Sequence, residues 1–480
     1  MSISKDNAMA FIDGMSDKII DVSHKIWDYA ELSLKEFKSA DLYVKVCKEA
    51  GFEVKKGICG IETAFSASFG SGRPVIGILG EYDALSGLSQ KAYSSEKETL
   101  VPGGSGHGCG HNMLGAGAFG AACAVKDFLE KSGTSGTVIF FGCPGEEGGA
   151  AKAFMAREGI WKNLDCALTW HPGDTNEITT GTCNSCIQVL YKFKGVAAHA
   201  AGNPEMGRSA LDAVELMNVG VQFLREHMAS DCRIHYAIVD GGGISPNVVQ
   251  PEASVLYMVR SVDVNDSIAL QARVDKIAEG AALMTETTFE RQFIDGTANT
   301  VPNSALEKLM HDNLSYVPLP VFTEEELRFA SEISKTYEKP KKLPGMGASK
   351  DPKIAGEVKE LLKTAHEGLY DFVMPFYTGD DFHPGSTDVG DVSWQTPAVQ
   401  CNTVCFAADA PGHSWQNVSC GASPIGDKGT VQAAKVIACT AIDLFEKPEC
   451  LKDIRDEFEK RMEGKKYTCP IPEDAVPIAI

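Results

Sequence analysis

Residues 137–148 read T-V-I-F-F-G-C-P-G-E-E-G, an apolar, β-branched and aromatic run that suits a buried strand, followed by a Pro-Gly turn carrying two adjacent carboxylates. The same pattern recurs on either side. The spacing predicts a helix over 112–131 before the strand 137–143, then a helix over 149–159 and a strand over 164–170 that stops at His171. Alternation of this kind argues an α/β domain, a central sheet flanked by helices. In open α/β sheets ligands gather beyond the carboxyl ends of strands, which is where Glu146, Glu147 and His171 stand.

Further upstream, Phe11, Ile19, Ile20, Val22, Ile26, Trp27 and Leu32 form one helical stripe, and 40–50 forms a second helix that Gly51 stops. Short β-rich runs follow at 61–69 and 74–79, then a polar, glycine-rich loop over 86–110. Downstream the rhythm changes to strand 185–194, helix 207–227, strands 233–239 and 252–261, helix 266–284 and strand 286–294. That βαββαβ order is the one a split-βαβ, ferredoxin-like unit has. Mostly helical sequence then runs to about 370, and an apolar strand over 398–406 and a helix over 427–446 resume the earlier style. The expectation is a catalytic α/β domain over 1–183 and 299–480, interrupted at 184–298 by an inserted ferredoxin-like α+β domain.

The totals agree. A chain of 480 residues is too long for one core. Its formal charge of -20, from 65 acidic against 45 basic side chains, repels phosphate backbones and anionic lipid, so nucleic acid and membranes are not expected partners. Residues 1–15 lack the pattern of a secretory signal, and no stretch approaches the ~18 apolar residues of a membrane span. Fifteen scattered cysteines then imply free thiols in a reducing compartment, the cytoplasm. Cys183 and Cys186 form C-x-x-C, but without a second pair at finger spacing they read as packed strand residues.

Three groups of residues carry chemistry. Residues 106–112, G-H-G-C-G-H-N, place His107, Cys109 and His111 two apart, so that in an extended segment all three project from one face; imidazole and thiolate are good donors for zinc, manganese or cobalt. At Glu146 and Glu147 two neighbouring carboxylates cannot both address one ion comfortably, so one ligates while the other moves a proton between the attacking water and a leaving nitrogen. An isolated pair of this kind is ordinarily a solvated turn; what counts here is company, because His171 and His413 (in A-P-G-H-S, 410–414) also follow strands. The run 115–120 matches G-x-G-x-x-G, but a polar loop precedes it and no acid ends the next strand, so the glycines are read as helix–sheet packing rather than dinucleotide binding. Neither a phosphate-binding G-x-x-x-x-G-K-[ST] loop nor a G-x-S-x-G elbow occurs.

Taken with E-Y-D-A-L at 81–85, T-W-H-P at 169–172, K-G-V-A-A-H-A at 194–200, N-V-V-Q-P-E-A at 247–253 and S-T-D-V-G-D-V-S-W at 386–394, these motifs resemble the M20 metallopeptidase and amidohydrolase family over essentially the whole chain. The last motif looks most like the aminobenzoyl-glutamate branch. The resemblance implies two divalent ions, Mn2+ or Zn2+, held by Cys109, His111, Glu147, His171 and His413, with Cys109 as bridge and Glu146 as general base. Asp83 and His107 match supporting positions. His199 resembles a histidine that reaches the neighbouring subunit's site to hold an oxyanion, and Asn247 with Arg260 resembles the pair that grips a substrate carboxylate. The implied reaction is hydrolysis of an N-acyl amino acid, p-aminobenzoyl-glutamate first among candidates, by a homodimer or a heteromer with a paralogous subunit joined through the inserted domain. A broader dipeptidase or deacylase and a non-catalytic metal-binding subunit are the alternatives. This chain departs from many relatives at Glu81-Tyr82-Asp83, where they carry D-M-D, and at Asn112, where they carry aspartate.

Overall fold

The computed structural model describes residues 3–478. Its strands are β1 (Glu53–Lys56), β2 (Phe65–Ser71), β3 (Val75–Gly80), β4 (Gly136–Gly142), β5 (Cys166–Gly173), β6 (Glu177–Thr179), β7 (Thr182–Cys183), β8 (Ser185–Lys194), β9 (Arg233–Asp240), β10 (Glu252–Ser261), β11 (Thr288–Thr297), β12 (Phe382–His383) and β13 (Ala398–Val404). The apolar runs β3, β4, β5 and β13 are parallel neighbours at the centre of a seven-stranded sheet of order β1-β2-β4-β3-β5-β13-β6, with antiparallel edges. Parallel pairing points their carboxyl ends the same way. The segments carrying Glu81, Glu146, His171 and His413 therefore converge on one rim of the sheet.

The helices His111–Ser132 and Pro424–Glu446 pack on each other, and the first of them covers β3, β4 and β5. Gly110 (φ +82°) and Gly133 (φ +66°) bound the helix His111–Ser132 in the left-handed conformation that suits glycine at such ends. It is buried from His111 through Val125, which requires small residues where it meets the sheet. A Cβ on Gly115 would meet the Tyr43 hydroxyl and lie 2.6 Å from the Glu81 carbonyl oxygen, one on Gly117 would lie 2.9 Å from the Trp170 ring, and one on Gly120 would lie 2.5 Å from Ile19. The G-x-G-x-x-G run is thus a packing notch, as its context indicated. Trp170, Phe119 and Phe140, each fully buried around it, contribute roughly 1.5–3 kcal/mol apiece by burial.

A second sheet, antiparallel, has the order β11-β8-β10-β9. The helices Ala210–Arg225 and Val264–Thr285 cover one face of it, so Ala253, Val255, Tyr257 and Val259 of β10 are buried while Met258 and Arg260 face the other way. The strand–helix–strand–strand–helix–strand order expected from the sequence is present.

Two expectations are corrected. The single stripe over 11–32 is two helices, Ile3–Gly14 and Ser16–Tyr29, because the chain breaks at Gly14-Met15, where helix propensity falls and Met15 leaves helical geometry. The run 61–69 is strand only from Phe65, since Ile61 to Ala64 make a turn closed by Ala64 N–H donating to Ile61 O. Among the described residues no helix is long and apolar enough to cross a membrane.

We expect Gly115→Ala to lower unfolding free energy by about 1–3 kcal/mol through overpacking, despite a gain of up to ~1 kcal/mol in helix propensity. A denaturant midpoint equal to or above wild type contradicts this account of the notch.

Candidate metal centre

Three sets of potential ligand atoms converge on the rim, those of each set within 4.8 Å of one another: Cys109, His111 and His171; Cys109, Glu147 and His413; and Glu81, His111 and Glu146. Cys109 belongs to the first two sets and His111 to the first and third, and Cys109 Sγ lies 3.3 Å from His171 Nε2. His413 Nε2 lies 3.4 Å from Glu147 Oε1. All five residues proposed as ligands from the sequence are thereby brought together with Glu146. His413 has φ +52°, a left-handed backbone rarely adopted by a non-glycine residue, and Gly108 passes close beneath it, within 3.3 Å for a hypothetical Cβ.

The donor set fits divalent cations. His111 Nε2 and Glu147 Oε1 are buried without a hydrogen bond, facing only Glu81 Oε2 at 3.3 Å and His413 Nε2 at 3.4 Å, and a cation between these groups would satisfy them. Burial, then the neighbouring His111, depresses His171 to about 4, which keeps its ring neutral and able to ligate. Burial pushes the Cys109 thiol well above its ordinary range; to ligate it must lose that proton, which a coordinated cation drives. Two divalent metal ions are the cofactors this cluster accommodates.

Asp83 braces the ligands. One carboxylate oxygen lies 2.8 Å from His111 Nδ1; the other accepts hydrogen bonds from the Ser33 hydroxyl and the Glu147 backbone N–H, each at 2.8 Å. Burial alone would raise this carboxyl, but the His111 charge and hydrogen bond outweigh it and carry it down to about 2. Fixing Nδ1 leaves Nε2 of His111 for the metal. His107, which the resemblance gives as a supporting residue, has its Nε2 at 3.0 Å from Ile26 O, and the helix that begins at His111 ends the extended geometry that would align the two. Neither Asp83 nor His107 falls in a ligand set.

Glu146 lies beside the ligands with its carboxyl pushed well above the ordinary range, by burial first and then by Glu81, Asp388 and Glu147. Behind it is a charge network that sequence reasoning missed. The fully buried Lys152 Nζ lies 2.7 Å from Glu81 Oε1 and also pairs with Asp388, whose second oxygen accepts the Lys152 backbone N–H at 2.9 Å. Glu36, also missed and fully buried, accepts the backbone N–H groups of Leu34 and Gly145 at 2.9 and 2.8 Å and so anchors the turn before Glu146. A lysine among Ala, Phe and Met at 150–155 was the one available signal, since solvated lysines rarely have such company.

The centre opens into a cleft of about 720 Å³ between the two sheets. Glu146, Glu147 and His413 line one wall and Arg260 of β10 the other, its Nη1 3.4 Å from the Ser386 hydroxyl. Arg233 and His235 of β9, which the sequence reading passed over, line the same wall. His199 and Asn247 do not line it. They sit together on an exposed loop pair, Ala200 N–H donating to Asn247 O at 3.0 Å.

A model of peptidase family M20/M25/M40 matches residues 77–405. The chain belongs to this family. It is 45% identical over 471 residues, 97% of each chain, to a p-aminobenzoyl-glutamate hydrolase subunit of Escherichia coli K12. The Xaa-Arg dipeptidase of Mus musculus is 25% identical over 476 residues, 96% of this chain and 94% of that one. Among solved structures, a dinuclear metal-binding M20 peptidase of Bacillus subtilis superposes with a TM-score of 0.54 at 16% identity, covering 90% of this chain and 99% of that one, a likeness of fold. Family membership and the ligand cluster together make this chain a metal-dependent amidohydrolase.

Lys152→Met leaves Asp388 buried without its ion pair and Glu81 with only His111 Nε2, 3.3 Å away, at an expected cost of about 3–5 kcal/mol in unfolding free energy. Equilibrium denaturation measures it, and a loss below ~1 kcal/mol is incompatible with the pairing described.

Proposed function

We propose that the chain hydrolyses the amide bond of N-acyl amino acids, with p-aminobenzoyl-glutamate as substrate and p-aminobenzoate and glutamate as products. The observation that carries this is Cys109 shared between two ligand sets, beside a buried Glu146 and across a cleft from Arg260. The E. coli relative, matched over nearly its full length, bears the name of that reaction.

In this reading Cys109, His111, Glu147, His171 and His413 hold the metals. Bound there, divalent ions polarise a carbonyl oxygen and make water a nucleophile near neutral pH. Glu146 takes a proton from the attacking water and hands it to the amide nitrogen as the carbon–nitrogen bond breaks; its raised affinity for a proton suits a group that must hold one between the two transfers. Arg260 pairs with the amino-acid carboxylate, for which the planar guanidinium is suited.

The oxyanion donor is His199. Its Nδ1 accepts the backbone N–H groups of Ala201 and Gly202 at 3.2 and 3.0 Å, so its proton rests on Nε2, free to donate. His199 and Asn247 are exposed and outside the cleft, which supports their serving the cleft of a second subunit. We assign residues 184–298 to an inserted ferredoxin-like domain that acts as lid and dimerisation unit, between catalytic parts 1–183 and 299–480. Val219 and Phe223 of the helix Ala210–Arg225 and Tyr236 and Ile238 of β9 are exposed beside one another, and β9 is an open sheet edge, an arrangement that suits association. A second copy is the partner proposed, a paralogous chain the alternative. Fifteen free cysteines, most of them buried, favour a cytoplasmic setting.

Glu146→Gln should retain bound metal by elemental analysis while kcat for p-aminobenzoyl-glutamate falls roughly 10²–10⁴-fold; unchanged turnover removes Glu146 from the mechanism. For the shared site, Glu146→Gln and His199→Ala chains, each inactive alone, should regain activity when mixed and allowed to exchange subunits. No recovery, in mixtures that sedimentation shows to be mixed dimers, refutes the contribution in trans.

A further inference from the structure

The cleft wall opposite the metal centre carries more positive charge than one carboxylate requires. In the antiparallel register Arg260 of β10 pairs with Arg233 of β9, and Met258 pairs with His235. Side chains two apart on a strand share a face, so Arg233, His235 and Arg260 form one patch, and all three line the cleft. Like charges directly opposite on a sheet repel. No ion pair relieves the repulsion: among the described residues neither arginine has a carboxylate within ion-pair distance, although Arg260 acts on Asp295 from farther off, and Arg233 is held by the backbone oxygens of Ser230 and Cys232 at 2.6 and 2.7 Å. Asp295, the acid at this end, is engaged through both oxygens by Gln188 at 3.1 and 2.9 Å, and burial holds its carboxyl up at about 6. His235 is disfavoured as a cation by burial, then by Arg260, with Arg233 adding to it. An unrelieved pair of guanidinium groups on a cleft wall is what a second anionic group on the ligand would neutralise.

We propose that Arg233 and His235 form a second carboxylate subsite beside Arg260, so that the enzyme selects N-acyl derivatives of dicarboxylic amino acids, Arg260 taking the α-carboxylate and Arg233 with His235 the side-chain carboxylate. This rests on the amide-hydrolase reading above and adds residues that determine its specificity. Glutamine, isosteric with glutamate but neutral in its side chain, isolates the effect.

The test compares kcat/KM for p-aminobenzoyl-glutamate and p-aminobenzoyl-glutamine. Wild type should prefer the glutamate conjugate roughly 10- to 100-fold, the range for one charge-assisted contact. Arg233→Gln should bring that ratio near one and Arg233→Lys should restore much of it, whereas Arg260→Gln should lower both conjugates together and keep the ratio. A wild type that does not discriminate, or an Arg233→Gln ratio equal to wild type, overturns the subsite. Calorimetric binding of the two conjugates to metal-loaded Glu146→Gln protein reads the same ratio without turnover. If wild type cleaves neither conjugate, the hydrolase reading fails for this acyl group, yet tighter binding of the glutamate conjugate that Arg233→Gln abolishes still supports the subsite, and equal binding refutes it.

Discussion

The carboxylate of Asp83 joins three distant segments: Ser33 from the N-terminal region, His111 at the start of the buried helix, and the backbone of Glu147 after β4. Each contact uses an oxygen lone pair that burial would otherwise leave costly, so the three segments hold one another in place. Ligand geometry follows. His111 is oriented through its far nitrogen, and the Glu146-Glu147 turn is held from beneath by Asp83 and from behind by Glu36. The candidate ligands come from four separate segments, the loop after β3 with the helix it enters, the turn after β4, β5 itself and the loop after β13, and need such bracing to keep donor atoms at coordination distance.

Buried charge is the second constraint. Glu81, Glu146, Asp388, Asp83 and Glu147 crowd one region, and Lys152, with no exposed surface, is the buried lysine facing them. Glu146 stands among them with its carboxyl raised well above the ordinary range, by burial first and then by Glu81, Asp388 and Glu147, the condition under which a group accepts and then releases a proton. Glu81 and Asp388 therefore bear on the chemistry through Lys152 and Glu146, and Glu81 Oε2 also reaches His111 Nε2 at 3.3 Å.

Much of this was legible in the sequence, for identifiable reasons. The parallel strands are continuous apolar runs ending in polar turns, so the sheet and its functional rim could be read from 137–148 and its repeats. Cys109 and His111 were recognisable because donor types recur at short spacing, and Glu146 and Glu147 because two adjacent carboxylates must divide their roles. Spacing alone groups His107 with Cys109 and His111, but a spacing of two implies a shared face only in extended chain, and the helix begins four residues on; the family resemblance sets His107 apart as a supporting residue. Asp388 and Glu36 were missed because their meaning lies in partners up to 236 residues away, and Lys152 showed only as a lysine in apolar company. Arg233 was passed over because a charged strand residue looks solvated until β9 is registered against β10.

The notched helix His111–Ser132 has a consequence for how such an enzyme diversifies. One element carries a candidate metal ligand at its first residue and fills the core with the next dozen, so any change that shifts that residue also disturbs packing against Trp170 and Tyr43. The reactive machinery is thereby frozen to the scaffold. The opposing wall is under no such restriction: Arg233 and His235 stand on an edge strand whose cleft-facing side chains support nothing behind them. Variation in what is cleaved can accumulate on β9 while the means of cleavage stays fixed.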